Sequence, residues 1–100
     1  MYREEKAVEQ YLVRQVKAAG GLCLKITSPS MDGIPDRLVL LPGNFPAFIE
    51  LKAPGQKPRP LQEAAMAMLR RTGSAIVVGV IDTKERVDSF MQVMAWRRGR

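Results

Sequence analysis

Apolar residues recur near the start of the chain at spacings of three and four: Val8, Tyr11, Leu12, Val16 and Ala19. That period puts them on one side of a helix over 3–19, and Gly20-Gly21 supplies its stop. Over 22–27 the pattern becomes an alternation, with Leu22, Leu24 and Ile26 on one side and Cys23 and Lys25 on the other, which predicts a strand. Ser28-Pro29-Ser30-Met31-Asp32-Gly33 is a turn-forming loop. Two extended runs, 37–41 and 47–53, flank Pro42-Gly43-Asn44 and predict an antiparallel hairpin. A basic connection, 54–60, leads to a helix opened by Pro60 and closed by Gly73, with Leu61, Ala64, Ala65, Met68 and Leu69 as its apolar stripe. The unbroken apolar run 75–81 predicts a central strand covered on both sides. Asp82 with Glu85 forms a capping box for a last helix that carries Val87, Phe90, Met91 and Met94 on one face, with Trp96 opposite.

The predicted order is helix, three strands, helix, strand, helix. The helix between the third and fourth strands serves as a crossover that brings those strands parallel. The expected class is α/β, a mixed four-stranded sheet flanked by helices. One hundred residues enclose one modest core, so 1–100 is read as a single domain.

No run approaches the roughly 18–20 apolar residues of a membrane span, and the charged start lacks the apolar stretch of a secretory signal. The expectation is a soluble, cytoplasmic protein of a bacterial or phage-infected host cell. With one cysteine and no histidine, one chain assembles neither a disulfide nor a Cys/His zinc site. Any metal must be held mainly by oxygen. A formal charge of +6 favours a polyanion, nucleic acid first.

In the third predicted strand a period of two sends Glu50 and Lys52 to one face and Leu51 to the other. Alone, this pattern is equally that of a solvent-facing ion pair. Asp36, however, opens the preceding strand after Gly33-Ile34-Pro35, and the hairpin brings its carboxylate towards Glu50 across fourteen positions. Two adjacent carboxylates repel unless one is protonated or a cation lies between them, and Mg²⁺ or Mn²⁺ suits an all-oxygen donor set. Lys52 is then available to hold an attacking water or stabilise charge on a phosphate.

Pro35-Asp36, a spacer, then Glu50-Leu51-Lys52 resembles the signature of the PD-(D/E)XK nuclease superfamily. Gly33-Ile34-Pro35-Asp36-Arg37-Leu38, Ile49-Glu50-Leu51-Lys52, a Gly-containing basic loop and Gln62 on the next helix resemble, more narrowly, the VRR-NUC family, in its stand-alone virus- or phage-type form. The resemblance implies a restriction-endonuclease-like core and a metal site of three carboxylates plus a backbone carbonyl. Here these are Asp36, Glu50, an acid of the first helix and the carbonyl of Leu51. Glu9 is preferred as the helix acid on family likeness; Glu5 also falls within the apolar stripe, and periodicity does not choose between them. Gln62 is carried over as a residue that orients a phosphate, a water or Lys52. Similar proteins have a small hydroxyl residue where this chain has Arg59, so a side-chain cap for that helix is missing from the expectation.

Lys57 and Arg59 flank the site in sequence, and Lys25, Arg37, Arg70 and Arg71 extend a path for a phosphate backbone. The expected activity is a Mg²⁺- or Mn²⁺-dependent endonuclease acting on branched DNA such as Holliday junctions, working as a homodimer. The alternatives are a non-catalytic basic nucleic-acid-binding module and a nuclease-fold assembly subunit.

Overall fold

The structure is a computed structural model that describes residues 2–98. It contains helix α1 (Tyr2–Ala18), strands β1 (Leu22–Lys25), β2 (Arg37–Leu40) and β3 (Ala47–Leu51), helix α2 (Pro60–Thr72), strand β4 (Ile76–Ile81) and helix α3 (Lys84–Arg98). The sheet order is β1-β2-β3-β4. The first two pairings are antiparallel and β3 pairs with β4 in parallel. This is the αβββαβα architecture expected from the pattern, with α2 as the crossover.

α1 ends as its two glycines require. Gly20 takes φ 82°, and the Gly20 and Gly21 N–H groups donate to the Lys17 and Val16 carbonyls at 3.0 and 2.9 Å. These are the two closing bonds of a left-handed helix stop. Gly21 also lets the chain pass close to β2, since a Cβ there would lie 2.5 Å from the Leu40 carbonyl oxygen.

The core lies on one face of the sheet. Val8, Leu12 and Val16 of α1 and Val87, Phe90 and Met94 of α3 meet Val39, Ala47, Ile49, Leu51 and Ile81. Register fixes the opposite face: Leu22 lies across from Leu40, Leu24 from Leu38 and Leu38 from Phe48, so these five side chains share one surface. Glu50 and Lys52 continue that surface by alternation from Phe48. α2 packs against β4 and sets Gln62 over Glu50. Leu22 and Leu24 remain 58% and 41% exposed.

Three local expectations are corrected. The 75–81 run forms an edge strand rather than a central one, because an apolar run records helical cover on a strand's faces and carries no information about its edges. The buried side of α2 is Gln62, Ala65 and Met66, whereas Leu61 and Met68 are 58% and 50% exposed. A stripe read from apolar residues alone misplaces the face because one buried position is polar. The cap of α3 is Thr83, whose Oγ1 accepts from the Arg86 N–H at 3.1 Å. Asp82 is not the cap; it is 7% exposed and accepts from the Gly55 N–H at 2.9 Å.

Candidate active site

Asp36 immediately precedes β2, while Glu50 lies at the end of β3 and Lys52 just beyond it, so antiparallel pairing brings the two ends together. The Leu51 N–H donates to Asp36 Oδ2 at 2.9 Å, which ties that carboxylate to the Glu50–Leu51 peptide. Glu50 is only 2% exposed. Its Oε2 accepts from Gln62 Nε2 at 2.8 Å and pairs with Lys52 Nζ at 3.2 Å. Its Oε1 is buried and has no hydrogen-bond partner among the described residues. Burial, and then the neighbouring Asp36 charge, push the Glu50 carboxyl above its ordinary range, against the opposing pull of Lys52.

Gln62 is fixed from both ends of its amide. While Nε2 reaches Glu50, Oε1 accepts from the Arg59 N–H at 2.8 Å. Arg59 makes no side-chain cap, as its lack of an acceptor dictates, and Gln62 satisfies the cap residue's own backbone donor instead. The residue that satisfies the cap's backbone donor is therefore also the one that holds the buried acid.

Glu9 is placed elsewhere. Arg37 lies across from core residue Ile49, on the α1 side, and its Nη2 donates to Glu9 Oε2 at 2.9 Å while its Nη1 reaches the Cys23 carbonyl at 3.3 Å. Lys6 Nζ lies 3.2 Å from the other Glu9 oxygen. Asp36, Glu50, Lys52 and Gln62 are thus brought together, whereas Glu9 and Arg37 pair on the other face. Glu5 takes no part in a described side-chain bond to the cluster. No group of three potential acidic, His or Cys ligands occurs among the described residues. Lys25, Lys57 and Arg59 are exposed, as are Arg70 and Arg71, while the Arg37 side chain is 13% exposed and turned inward.

Asp82, taken from the sequence as a helix cap, instead holds the loop that follows Lys52. From the end of β4 it holds Gly55, the turn of the basic connection, and Arg86 Nε lies 3.2 Å from its other oxygen. Its signal was a lone acid at the C-terminal end of an apolar strand, next to strand β3 and the site.

The donors present fit a hard divalent cation: a buried carboxylate oxygen lacking a partner, a second carboxylate beside it and no soft ligand. No protein-family profile matches the chain. It is 43% identical over 74 residues to "Putative nuclease p44" of Acyrthosiphon pisum secondary endosymbiont phage 1, an alignment covering 74% of this chain and 80% of that protein. A solved structure described as a VRR_NUC domain superposes with a TM-score of 0.78 at 30% identity, covering 89% of this chain and 95% of the other. The chain belongs to the VRR-NUC family. As a VRR-NUC protein it is a nuclease, and the convergence of Asp36, Glu50 and Lys52 is where its sheet concentrates reactive groups.

Proposed function

We propose that this VRR-NUC chain is a Mg²⁺- or Mn²⁺-dependent endonuclease that hydrolyses phosphodiester bonds in branched DNA, four-way Holliday junctions among them. The carrying observation is the unpaired buried Oε1 of Glu50 beside Asp36. In this reading Asp36, Glu50 and the Leu51 carbonyl hold the ion, and Glu9 joins them only by releasing Arg37. What a divalent ion supplies there is Lewis-acid polarisation and charge neutralisation. Lys52, held against Glu50 at 3.2 Å, presents its ammonium to the attacking water or the phosphate oxygens. Gln62 prevents Glu50 from turning away. Lys25, Lys57 and Arg59 track the backbone without reading bases.

A second copy fits the open sheet face. Leu22 and Leu24 are the exposed part of an apolar surface that continues over half-buried Leu38, Leu40 and Phe48, and a homodimer would set two sites against two strands. Its test is the sedimented mass of wild type against Leu22→Lys; an unchanged monomeric mass in both removes the dimer. Such a protein acts where the DNA lies, in the cytoplasm of a bacterial or phage-infected cell, and no helix among the described residues is long and apolar enough to cross a membrane.

The activity is tested by incubating linear, flapped and four-way DNA with Mg²⁺, Mn²⁺ or chelator, alongside Asp36→Asn. The expected result is metal-dependent cutting that favours the four-way substrate, and an Asp36→Asn protein that binds without cutting. Cleavage undiminished by chelator or by Asp36→Asn overturns the proposal.

A further inference from the structure

The β2–β3 turn lies at the end of the hairpin remote from Asp36 and Glu50. There Gly43, Asn44 and Phe45 face the last turns of α3, and with Trp96 and Arg97 they line a concavity of about 540 Å³. Two large aromatic side chains stand at its rim, Phe45 at 63% and Trp96 at 60% exposure. The geometry is held in place rather than loose. Asn44 Nδ2 donates to the Met94 carbonyl at 3.0 Å, pinning the turn to the helix, and the Asn44 N–H donates to the Leu41 carbonyl at 3.1 Å. Gly43 is at φ 74°, and a Cβ there would come within 3.1 Å of the Arg98 side chain, so the turn and the helix end approach closely.

The chemistry of this hollow differs from that of its neighbour. The groove between β4 and α3 is lined mostly by aliphatics such as Ile76, Val78 and Val93, with Arg86, Arg97 and the buried Phe90 among them, and offers no exposed ring. The turn concavity instead combines two aromatic rings, an amide side chain and arginine. Flat π faces with adjoining cations suit a base and its phosphate. Every base offers a face to stack on, and the arginines supply the phosphate contacts that a chain of net charge +6 favours.

We propose that Phe45 and Trp96 form a stacking platform for unpaired bases of a DNA strand, with Arg97 on the phosphates. This rests on the reading of DNA as substrate and adds to it a second contact, distant from the chemistry. Phe45 precedes Glu50 by five residues, roughly 15 Å of extended chain. The platform lies on the α3 side of the sheet and Glu50 on the α2 side, so a strand that used both would pass from one face to the other. A flapped substrate, whose branch is single-stranded, would use both places, whereas a fully paired substrate, linear or four-way, would reach the platform only by unstacking bases.

Trp96 is the sole tryptophan, so its fluorescence reports on the platform directly. In chelator, where nothing is cut, titration with an oligothymidylate should quench that emission, and a blunt duplex of equal length should quench it far less. Phe45→Leu keeps the apolar bulk but removes the ring. It should weaken oligothymidylate binding roughly ten-fold or more, while leaving the thermal melt unchanged. Phe45→Tyr should restore binding. Unaltered emission while labelled DNA binds by anisotropy, full affinity in Phe45→Leu, or emission that follows protein concentration instead of DNA would each overturn the platform; the last would mark a self-association surface. Absence of metal-dependent cleavage with the quench intact would instead overturn the nuclease reading of the Asp36–Glu50 site.

Discussion

Glu9 and Glu50 are two carboxylates on opposite faces of one sheet, and they sit in opposite electrostatic conditions. Burial draws Glu9 upward, but hydrogen bonds from Arg37 and Lys6 outweigh it and leave the group below its ordinary range. Glu50 is more deeply buried, has Asp36 as a neighbour and receives one lysine, so it lies above that range. On the α1 face the acid has two cations and both its oxygens are paired. On the α2 face one oxygen is unpaired. Sequence presents both as acids bordering apolar patterns; the difference is the supply of positive charge, and the deficit marks where a metal ion fits.

The largest expected break in this contrast is in turnover. Glu50→Gln and Asp36→Asn should each lower cleavage on the order of 1,000-fold, about 4 kcal/mol in the barrier, with DNA affinity in chelator retained. Glu9→Gln should cost far less, because it leaves the paired acids intact. Single-turnover rates on one four-way substrate compare the three; a Glu9→Gln loss as large as that of Glu50→Gln would show Glu9 leaving Arg37 to join the site.

Stability should rank the same two acids the other way. Glu9→Gln leaves the partly buried Arg37 guanidinium without its counter-charge, and a loss of about 1–2 kcal/mol is expected after allowance for solvent screening. Glu50→Gln in chelator should not destabilise the fold at neutral pH, since it removes a buried charge that has too little compensation. Urea unfolding of both variants measures the inversion.

This contrast also explains what the sequence disclosed. Helix and strand order, the covered face built on Val39, Ala47 and Ile49, and the approach of Asp36 to Glu50 all follow from periodicity and one hairpin. The errors cluster where polar residues are buried. Gln62 occupies an inward position on α2 that an apolar stripe cannot include, and Asp82 looks like a cap until Gly55, twenty-seven residues away, is seen to be its partner. β4 reads as central because cover on its faces is local information, whereas its place in the sheet depends on which strands pair. The pairing of Glu9 with Arg37 is a tertiary choice that no local pattern encodes.

pH sharpens the contrast without a substrate. Unfolded Glu50 titrates near the ordinary carboxyl value of 4.5 and folded Glu50 above it. Between those values the folded state holds a proton that the unfolded state has lost, so stability in chelator should fall as pH rises through that window. Glu9 has the opposite sign: its contribution is present above 4.5 and is lost as pH falls through its lowered folded value. Thermal melts from pH 4 to 8 should show the Glu50 slope vanish in Glu50→Gln and shrink on adding Mg²⁺, which favours the carboxylate form, whereas the Glu9 slope should ignore Mg²⁺. A Glu50 slope indifferent to Mg²⁺ would remove the ion from that face.

The smallest effect expected is at Gln62, which acts through its neighbours as a positioning residue. Gln62→Ala removes the donor to Glu50 Oε2 and the acceptor for the Arg59 N–H, so about 1 kcal/mol of stability should be lost at the helix start. A merely structural role would end there. Because the lost donor favoured the ionised acid, the Glu50-dependent slope should also move to higher pH, and kcat should fall about ten-fold with little change in KM. Gln62→Glu cannot donate to Glu50 when ionised and should be the worse variant despite keeping an acceptor for Arg59. If both variants lose only stability, Gln62 is a cap that happens to lie beside the acid, and the deficit at Glu50 is set by burial and Asp36 alone.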